Sequence, residues 1–170
     1  MSRAFVSENT IGAAADALPD LPQSPHPNYV TPQGHRLLEQ RLAAAQMRQR
    51  EASGGAGDPA GQLALATVNR EIRFLEARLE RAIVIDPAQA PADEVAFGAI
   101  VEVVDPAGEH RIFGIVGEDE ADVEHGKVSW VSPLARALLG AHIGDTVQWR
   151  RPAGEVTLEV AGIRYPERGG

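Results

Sequence analysis

The chain has 170 residues, of which 44% are hydrophobic and 24% are charged, enough apolar material for one or two small domains with packed cores. It contains no cysteine, which excludes disulfides, thiolate metal sites and a cysteine nucleophile and favours a reducing compartment. The formal net charge of −8 argues against duplex nucleic acid as the main partner, because neutralising phosphates requires clustered positive charge.

The charge is unevenly distributed along the chain. Residues 1–30 hold one basic and three acidic side chains, residues 31–82 hold eight and six, and residues 83–170 hold seven and fifteen. A mildly basic middle and an acidic end predict two units with different partners.

The first thirty residues are predicted to form an extended or disordered tail. Prolines at positions 19, 22, 25 and 27 remove backbone donors and bias each preceding residue away from the helical conformation. The beginning of the chain carries one arginine and no continuous apolar stretch. We therefore expect no signal peptide and no membrane anchor, and a cytoplasmic location.

Residues 31–84 are predicted to form an antiparallel coiled-coil hairpin. Thr31-Pro32 is a helix start, and the glycine-rich residues 53–61 separate this helix from a second one that starts at Asp58-Pro59. The second helix carries one apolar stripe at coiled-coil spacing, formed by Leu65, Val68, Ile72, Leu75, Leu79 and Ala82. Folding the two helices back on each other buries the apolar face of each helix and gives an arm roughly 30 to 35 Å long. A stripe paired within one chain favours a monomer; packing of both helices on the C-terminal domain is the alternative.

Residues 85–170 show short strand-like runs separated by turns. Strands are predicted over residues 97–104, 110–116, 127–131, 146–151 and 155–164, and a short helix follows Ser132-Pro133 and ends before Gly140. An antiparallel sheet with one helix laid on it makes the whole chain an α+β protein.

No motif in the chain predicts a catalytic centre. P-loop, GxGxxG and GxSxG motifs are absent, and Ser132 is better explained as a helix cap than as a nucleophile. The histidines have no paired metal-ligand spacing; they are His26, His35, His110, His125 and His142. An acidic cluster could attract a divalent cation or form a solvated turn; its members are Glu118, Asp119, Glu120, Asp122, Glu124 and His125.

A series of short motifs between residues 30 and 165 resembles the GreA/GreB transcription elongation factor family. The motifs are Thr31-x-x-Gly34, VID at 84–86, FGAxV at 97–101, IVGxDEAD at 115–122, SPLARALLG at 132–140, Gly144-Asp145 and PAGE at 152–155. The resemblance implies an FKBP-like C-terminal domain that docks at the rim of the secondary channel of bacterial RNA polymerase. It also implies that the hairpin enters the channel, where a pair of acidic tip residues helps to hold the catalytic Mg²⁺ and stimulates cleavage of backtracked RNA.

The tip departs from the family pattern. Asp58 matches the first acidic residue, but Gly61 stands where the second is expected and Leu65 where a tyrosine is expected. Each helix is also about one heptad shorter than is usual in the family, which corresponds to a length of roughly 10 Å. We therefore expect weak or absent cleavage stimulation and no cofactor of the chain's own, with Asp58 either a helix cap or an indirect contact to the polymerase Mg²⁺.

The docking surface is expected to be retained. The predicted partner-binding residues are Ser132, Pro133, Arg136, Asp119 and Glu120, although Val131 replaces a polar residue before the Ser-Pro pair. The hairpin arginines either line a channel that contains nascent RNA or form a solvated face; they are Arg41, Arg48, Arg50, Arg70, Arg73, Arg78 and Arg81.

Two alternative functions stay open. A Rnk-like regulator would share the polymerase-docking domain and a shortened coiled coil. An FKBP-type peptidyl-prolyl isomerase would need an aromatic proline pocket, for which the four Phe, two Tyr and two Trp of the chain leave little material.

Overall fold

The computed structural model describes residues 18–166, so residues 1–17 of the predicted tail, and residues 167–170, lie outside the described residues. Two compact units divide this range, one formed by residues 18–26 with Leu38–Arg81 and the other by Pro27–Leu37 with residues 82–166. The elements in chain order are β1 (Asn28–Val30), α1 (Pro32–Gly54), α2 (Pro59–Glu80), β2 (Ala82–Val84), β3 (Ile100–Val104), β4 (His110–Val116), β5 (Lys127–Ser129), α3 (Pro133–Leu138), β6 (Thr146–Arg151) and β7 (Gly154–Arg164).

The first unit is the predicted helical hairpin. Prolines at the first position of α1 and α2 cost no hydrogen bond, because the first helical N–H groups have no partner within the helix. Across the hairpin, Arg48 forms a bidentate ion pair with Glu71, with N–O distances of 2.9 and 3.0 Å, and this hydrogen bond lowers the pKa of the Glu71 carboxyl. Next to this pair, the side-chain amide of Gln49 donates a hydrogen bond to the side-chain oxygen of Asn69 at 2.7 Å. These pairings show that the helices run antiparallel.

The predicted apolar stripe of α2 is buried at its centre and changes at both ends. Val68, Ile72 and Leu75 are buried, whereas Leu65 and Leu79 are only half-buried. Ala82 lies in β2 rather than in the helix, because α2 ends at Glu80 and residue 82 pairs with Asn28 instead.

The second unit contains a five-stranded sheet in the order β5-β4-β3-β7-β6. Three strand pairs are antiparallel, but β5 joins β4 in parallel, so the sheet is mixed rather than wholly antiparallel as predicted. The reason is the connection: residues 117–126 carry the chain back along β4 before β5 begins. Helix α3 contributes Leu134, Ala135 and Leu138 to the core on one face of this sheet. The α+β class is confirmed.

A short parallel pair, β1 with β2, was not predicted. It brings together Asn28–Val30, predicted above as part of the tail, and Ala82–Val84, predicted as the end of the hairpin. The pair is extended by a hydrogen bond from the Ile85 amide to the Val30 carbonyl at 2.9 Å. Gly117 permits this arrangement, since a β-carbon at that position would collide with the carbonyl oxygen of Tyr29.

Tyr165 fastens the end of β7 to the segment before β3. Its hydroxyl donates to the Glu94 carbonyl and accepts from the Ala96 amide, the latter at 2.9 Å. Burial raises the pKa of the Tyr165 phenol above its usual value of 10.0.

We expect the free energy of unfolding to fall as the pH rises above about 10, because the phenol ionises more easily in the unfolded chain than in the folded one. Tyr165→Phe should cost about 0.5 to 1.5 kcal/mol near neutral pH through the lost hydrogen bonds, and should flatten this alkaline decline. Urea unfolding of both proteins across this pH range measures the effect. A decline of unchanged steepness in the variant would contradict it.

Candidate functional site

The tip of the hairpin carries one ionisable side chain, Asp58, between Gly54 and Leu65. Asp58 has an extended backbone conformation and caps α2: its carboxylate accepts a hydrogen bond from the Gly61 amide at 2.7 Å. The helix-cap alternative therefore describes what this carboxylate does in the structure. Among residues 18–166, no group of three or more His, Cys, Asp or Glu side chains is arranged to hold a metal ion.

Gly61 closes the turn between the two helices. A β-carbon at this position would collide with the carbonyl oxygen of Gly55 and would lie 3.1 Å from the Asp58 carboxylate. A glutamate at position 61 would require the backbone of the turn to move. The absence of the second acidic residue is therefore built into the geometry of the tip.

Gly61→Glu should destabilise the hairpin by about 1 to 3 kcal/mol, because the new side chain must displace the Gly55 backbone. Gly57→Glu is the matched control: it adds the same carboxylate to the same turn, at a position where a β-carbon meets nothing within 4 Å. We expect the control to stay within about 0.5 kcal/mol of the parent. Thermal unfolding followed by circular dichroism measures both; equal stability of the two variants would show that the turn is not closed by Gly61.

The Ser-Pro helix presents two accessible side chains. Ser132 caps α3 by accepting from the Ala135 amide at 3.2 Å, and Pro133 occupies the first helical position. Because the apolar face of α3 is buried, Pro133 and Arg136 project from its exposed side. The structure thus presents two of the predicted docking residues to solvent and gives Ser132 a structural role as well.

Glu120 has a different role from the predicted partner contact. It is 7% exposed, and the Thr31 hydroxyl donates a hydrogen bond to its carboxylate at 2.6 Å. The same hydroxyl accepts from the Gly34 amide at 2.9 Å, which caps α1. Asp119 is half-buried next to it.

Gly34 allows the Glu120 carboxylate to approach α1. A β-carbon at position 34 would lie only 2.8 Å from the nearer carboxylate oxygen. The Thr31-x-x-Gly34 motif and the acidic segment after β4 are therefore two halves of one contact. Sequence reasoning identified both motifs but had no spacing rule to join them, because 89 residues separate Thr31 from Glu120.

Thr31→Val should cost about 1 to 3 kcal/mol, since it removes a helix cap and leaves a buried carboxylate without its donor. Thr67→Val is the matched control, because the Thr67 hydroxyl makes only an exposed bond to the Leu63 carbonyl within α2. We expect a change of about 0.5 kcal/mol or less for the control. Urea unfolding curves compare the two; an equal loss would contradict the assigned role of Thr31.

The last residues of the acidic cluster, from Asp122 to His125, form a turn at the surface. The His125 ring nitrogen lies 2.6 Å from the Asp122 carboxylate, and this hydrogen bond lowers the pKa of Asp122. Glu124 is exposed.

Three of the seven hairpin arginines are engaged within the first unit. Arg48 pairs with Glu71, and Arg78 is 2% exposed. Arg73 binds the Asp20 carboxylate at 2.7 Å and the Leu18 carbonyl at 3.0 Å. Arg41, Arg50 and Arg81 are exposed and Arg70 is half-buried, so the basic surface of the arm is smaller than the sequence indicates.

The fold defines a class of protein in which a helical hairpin is joined to an α+β sheet unit. The family model described as "Transcription elongation factor, GreA/GreB, C-term" matches residues 90–165. The transcription elongation factor GreB of Neisseria meningitidis serogroup B is 36% identical over 153 residues, covering 81% of this chain and 94% of that relative. GreA of Beijerinckia indica is 35% identical over 151 residues, covering 80% and 96%.

The chain belongs to the GreA/GreB family of transcription elongation factors. Among solved structures, GreA factor homolog 1 (Gfh1) of Thermus thermophilus is 27% identical and covers 82% of this chain and 99% of its own. The TM-score of this comparison is 0.40. Within residues 18–166, no helix has the length and apolar content needed to cross a membrane.

Proposed function

We propose that this protein is a monomeric Gre-family regulator that binds bacterial RNA polymerase at the secondary channel and stimulates transcript cleavage weakly or not at all. Membership of the GreA/GreB family and the accessible Pro133 and Arg136 support the docking part of this proposal. The closed turn at the hairpin tip supports the second part.

The observation that carries the proposal is the contact of Gly61 with Gly55. In the family pattern a second carboxylate occupies this position and shares a Mg²⁺ ion with the first. Here a side chain at position 61 is sterically excluded, and Asp58 is committed to the Gly61 amide. Asp58 therefore offers one carboxylate where the family pattern has two, so the tip supplies fewer ligand oxygens for a Mg²⁺ ion.

The length of the hairpin also argues against cleavage stimulation. A helix shorter by about one heptad ends roughly 10 Å earlier. Functional groups around a metal must be placed to within about 0.5 Å, so a shortfall of this size removes Asp58 from the site even if its cap were released. The protein then acts by occupying the channel, with no cofactor of its own, and nascent RNA would meet the exposed arginines rather than a catalytic tip.

Docking is tested by equilibrium binding to bacterial core RNA polymerase, with a GreA or GreB protein as competitor. We expect mutually exclusive binding, and Arg136→Glu should weaken it at least about tenfold by reversing a charge at the interface. Arg111→Glu is the matched control, since Arg111 is an exposed arginine of the same unit on β4. Simultaneous binding of both factors, or equal loss with both variants, would overturn the docking proposal.

Cleavage is tested on backtracked elongation complexes with labelled RNA. We expect cleavage at the rate of polymerase alone, and no further change with Asp58→Ala. Cleavage well above that background, abolished by Asp58→Ala but retained by the nearby Gly57→Ala, would show that the single carboxylate suffices.

The Rnk-like and isomerase alternatives remain predictions. Direct binding of a kinase would favour the former. Isomerisation of a proline-containing peptide above the uncatalysed rate would favour the latter.

A further inference from the structure

The second unit contains a cleft of about 640 Å³ that neither the hairpin tip nor the Ser-Pro helix uses. Its walls come from the first turn of α1, the segment after β2, and the strands β3, β4 and β5. All of these segments belong to one compact unit. The volume is within the range of about 300 to 1,000 Å³ that is usual for small-molecule sites.

The floor of the cleft is apolar and open. Ile100, Ile112 and Val116 line it, and Ile112 is 53% exposed, which is unusual for a large apolar side chain in the middle of a sheet. The space above Gly114 is also open, since a β-carbon at this position would meet no atom within 4 Å. A smaller depression of about 180 Å³ shares Ile100 and Ile112 with the cleft.

The cleft is lined by two basic and two acidic side chains that differ in their hydrogen-bond partners. Arg36 and Lys127 line the cleft, and neither forms an ion pair within the described part of the chain. By contrast, Glu120 is held by Thr31, and Asp86 accepts from the Ala88 amide at 2.9 Å.

His125 also lines the cleft, and its ring nitrogen lies 2.6 Å from the Asp122 carboxylate. Glu120 and Asp86 keep their negative charges, but each already accepts a hydrogen bond from the protein. Within the described part of the chain, Arg36 and Lys127 are therefore the charged side chains of the cleft whose donors have no carboxylate at ion-pair distance.

We propose that this cleft binds a small organic anion, with an apolar body against Ile100, Ile112 and Val116 and its anionic group facing Arg36 and Lys127. Apolar burial would supply most of the affinity, and the two cations would select for the charge and orient the molecule. This inference is independent of polymerase binding and adds a ligand site to the sheet unit.

The test uses 8-anilinonaphthalene-1-sulfonate, an aromatic body with one sulfonate, and its uncharged analogue N-phenyl-1-naphthylamine as probes on the full chain. Calorimetry and dye fluorescence should show one saturable site for the sulfonate and markedly weaker binding of the neutral dye. Ile112→Glu should weaken sulfonate binding at least about tenfold, because it places a negative charge on the floor of the cleft.

Val123→Glu is the matched control. It adds the same charge at an apolar residue that is 81% exposed and outside the lining of the cleft. Because both sites are exposed, both variants should fold, as circular dichroism can verify. We expect the control to change sulfonate binding by less than about twofold, given the screening of distant surface charges by salt.

A second readout uses the fact that Lys127 is the one lysine in the sequence. Bound sulfonate dye should slow acetylation of Lys127 relative to the N-terminal amine, as measured by mass spectrometry of the two peptides. Sulfonate binding that is absent, equal in the two glutamate variants, matched by the neutral dye, or without protection of Lys127 would overturn the proposal.

Discussion

The hydrogen bond from Thr31 to the buried carboxylate of Glu120 ties together two segments of the second unit that are 89 residues apart in the chain. It joins the first turn of α1 to the segment after β4, and Gly34 leaves room for the carboxylate because a β-carbon there would lie 2.8 Å from its nearer oxygen. A buried carboxylate without a donor would be strongly unfavourable, so the cap and the acid stabilise each other. The same bond gives Glu120 a hydrogen-bond donor, whereas Arg36 and Lys127 in the cleft form no ion pair within residues 18–166.

The hairpin tip contains a close backbone approach that disfavours a side chain at position 61. The Gly55 carbonyl lies so near Gly61 that a β-carbon fits only if the backbone of the turn moves, and Asp58 caps α2. A tip built in this way presents one carboxylate rather than a pair. Under the proposed function, the chain would combine the sheet unit of its family with a hairpin end suited to occupying the channel rather than to completing a metal site.

Local sequence patterns predicted most of the helices and strands, but they did not predict contacts between segments far apart in the chain. The limits of β4 and β6 were read correctly from strand-like runs bounded by turns, and Thr31, Asp58 and Ser132 were correctly placed at helix starts. The β1–β2 pair was missed because each strand has three residues and they are joined only through the hairpin. Glu120 was taken for a surface acid because its partner is 89 residues away and no periodicity reports such a pairing.

The most direct test measures whether this protein inhibits RNA cleavage that another Gre factor stimulates. The protein is titrated into backtracked elongation complexes in which a GreA or GreB protein is stimulating RNA cleavage. If it occupies the same channel with a tip that cannot complete the metal site, cleavage should fall towards the rate of polymerase alone as the Gre factor is displaced. Cleavage that is unchanged at concentrations that saturate the polymerase, or that increases with each addition, would contradict the account.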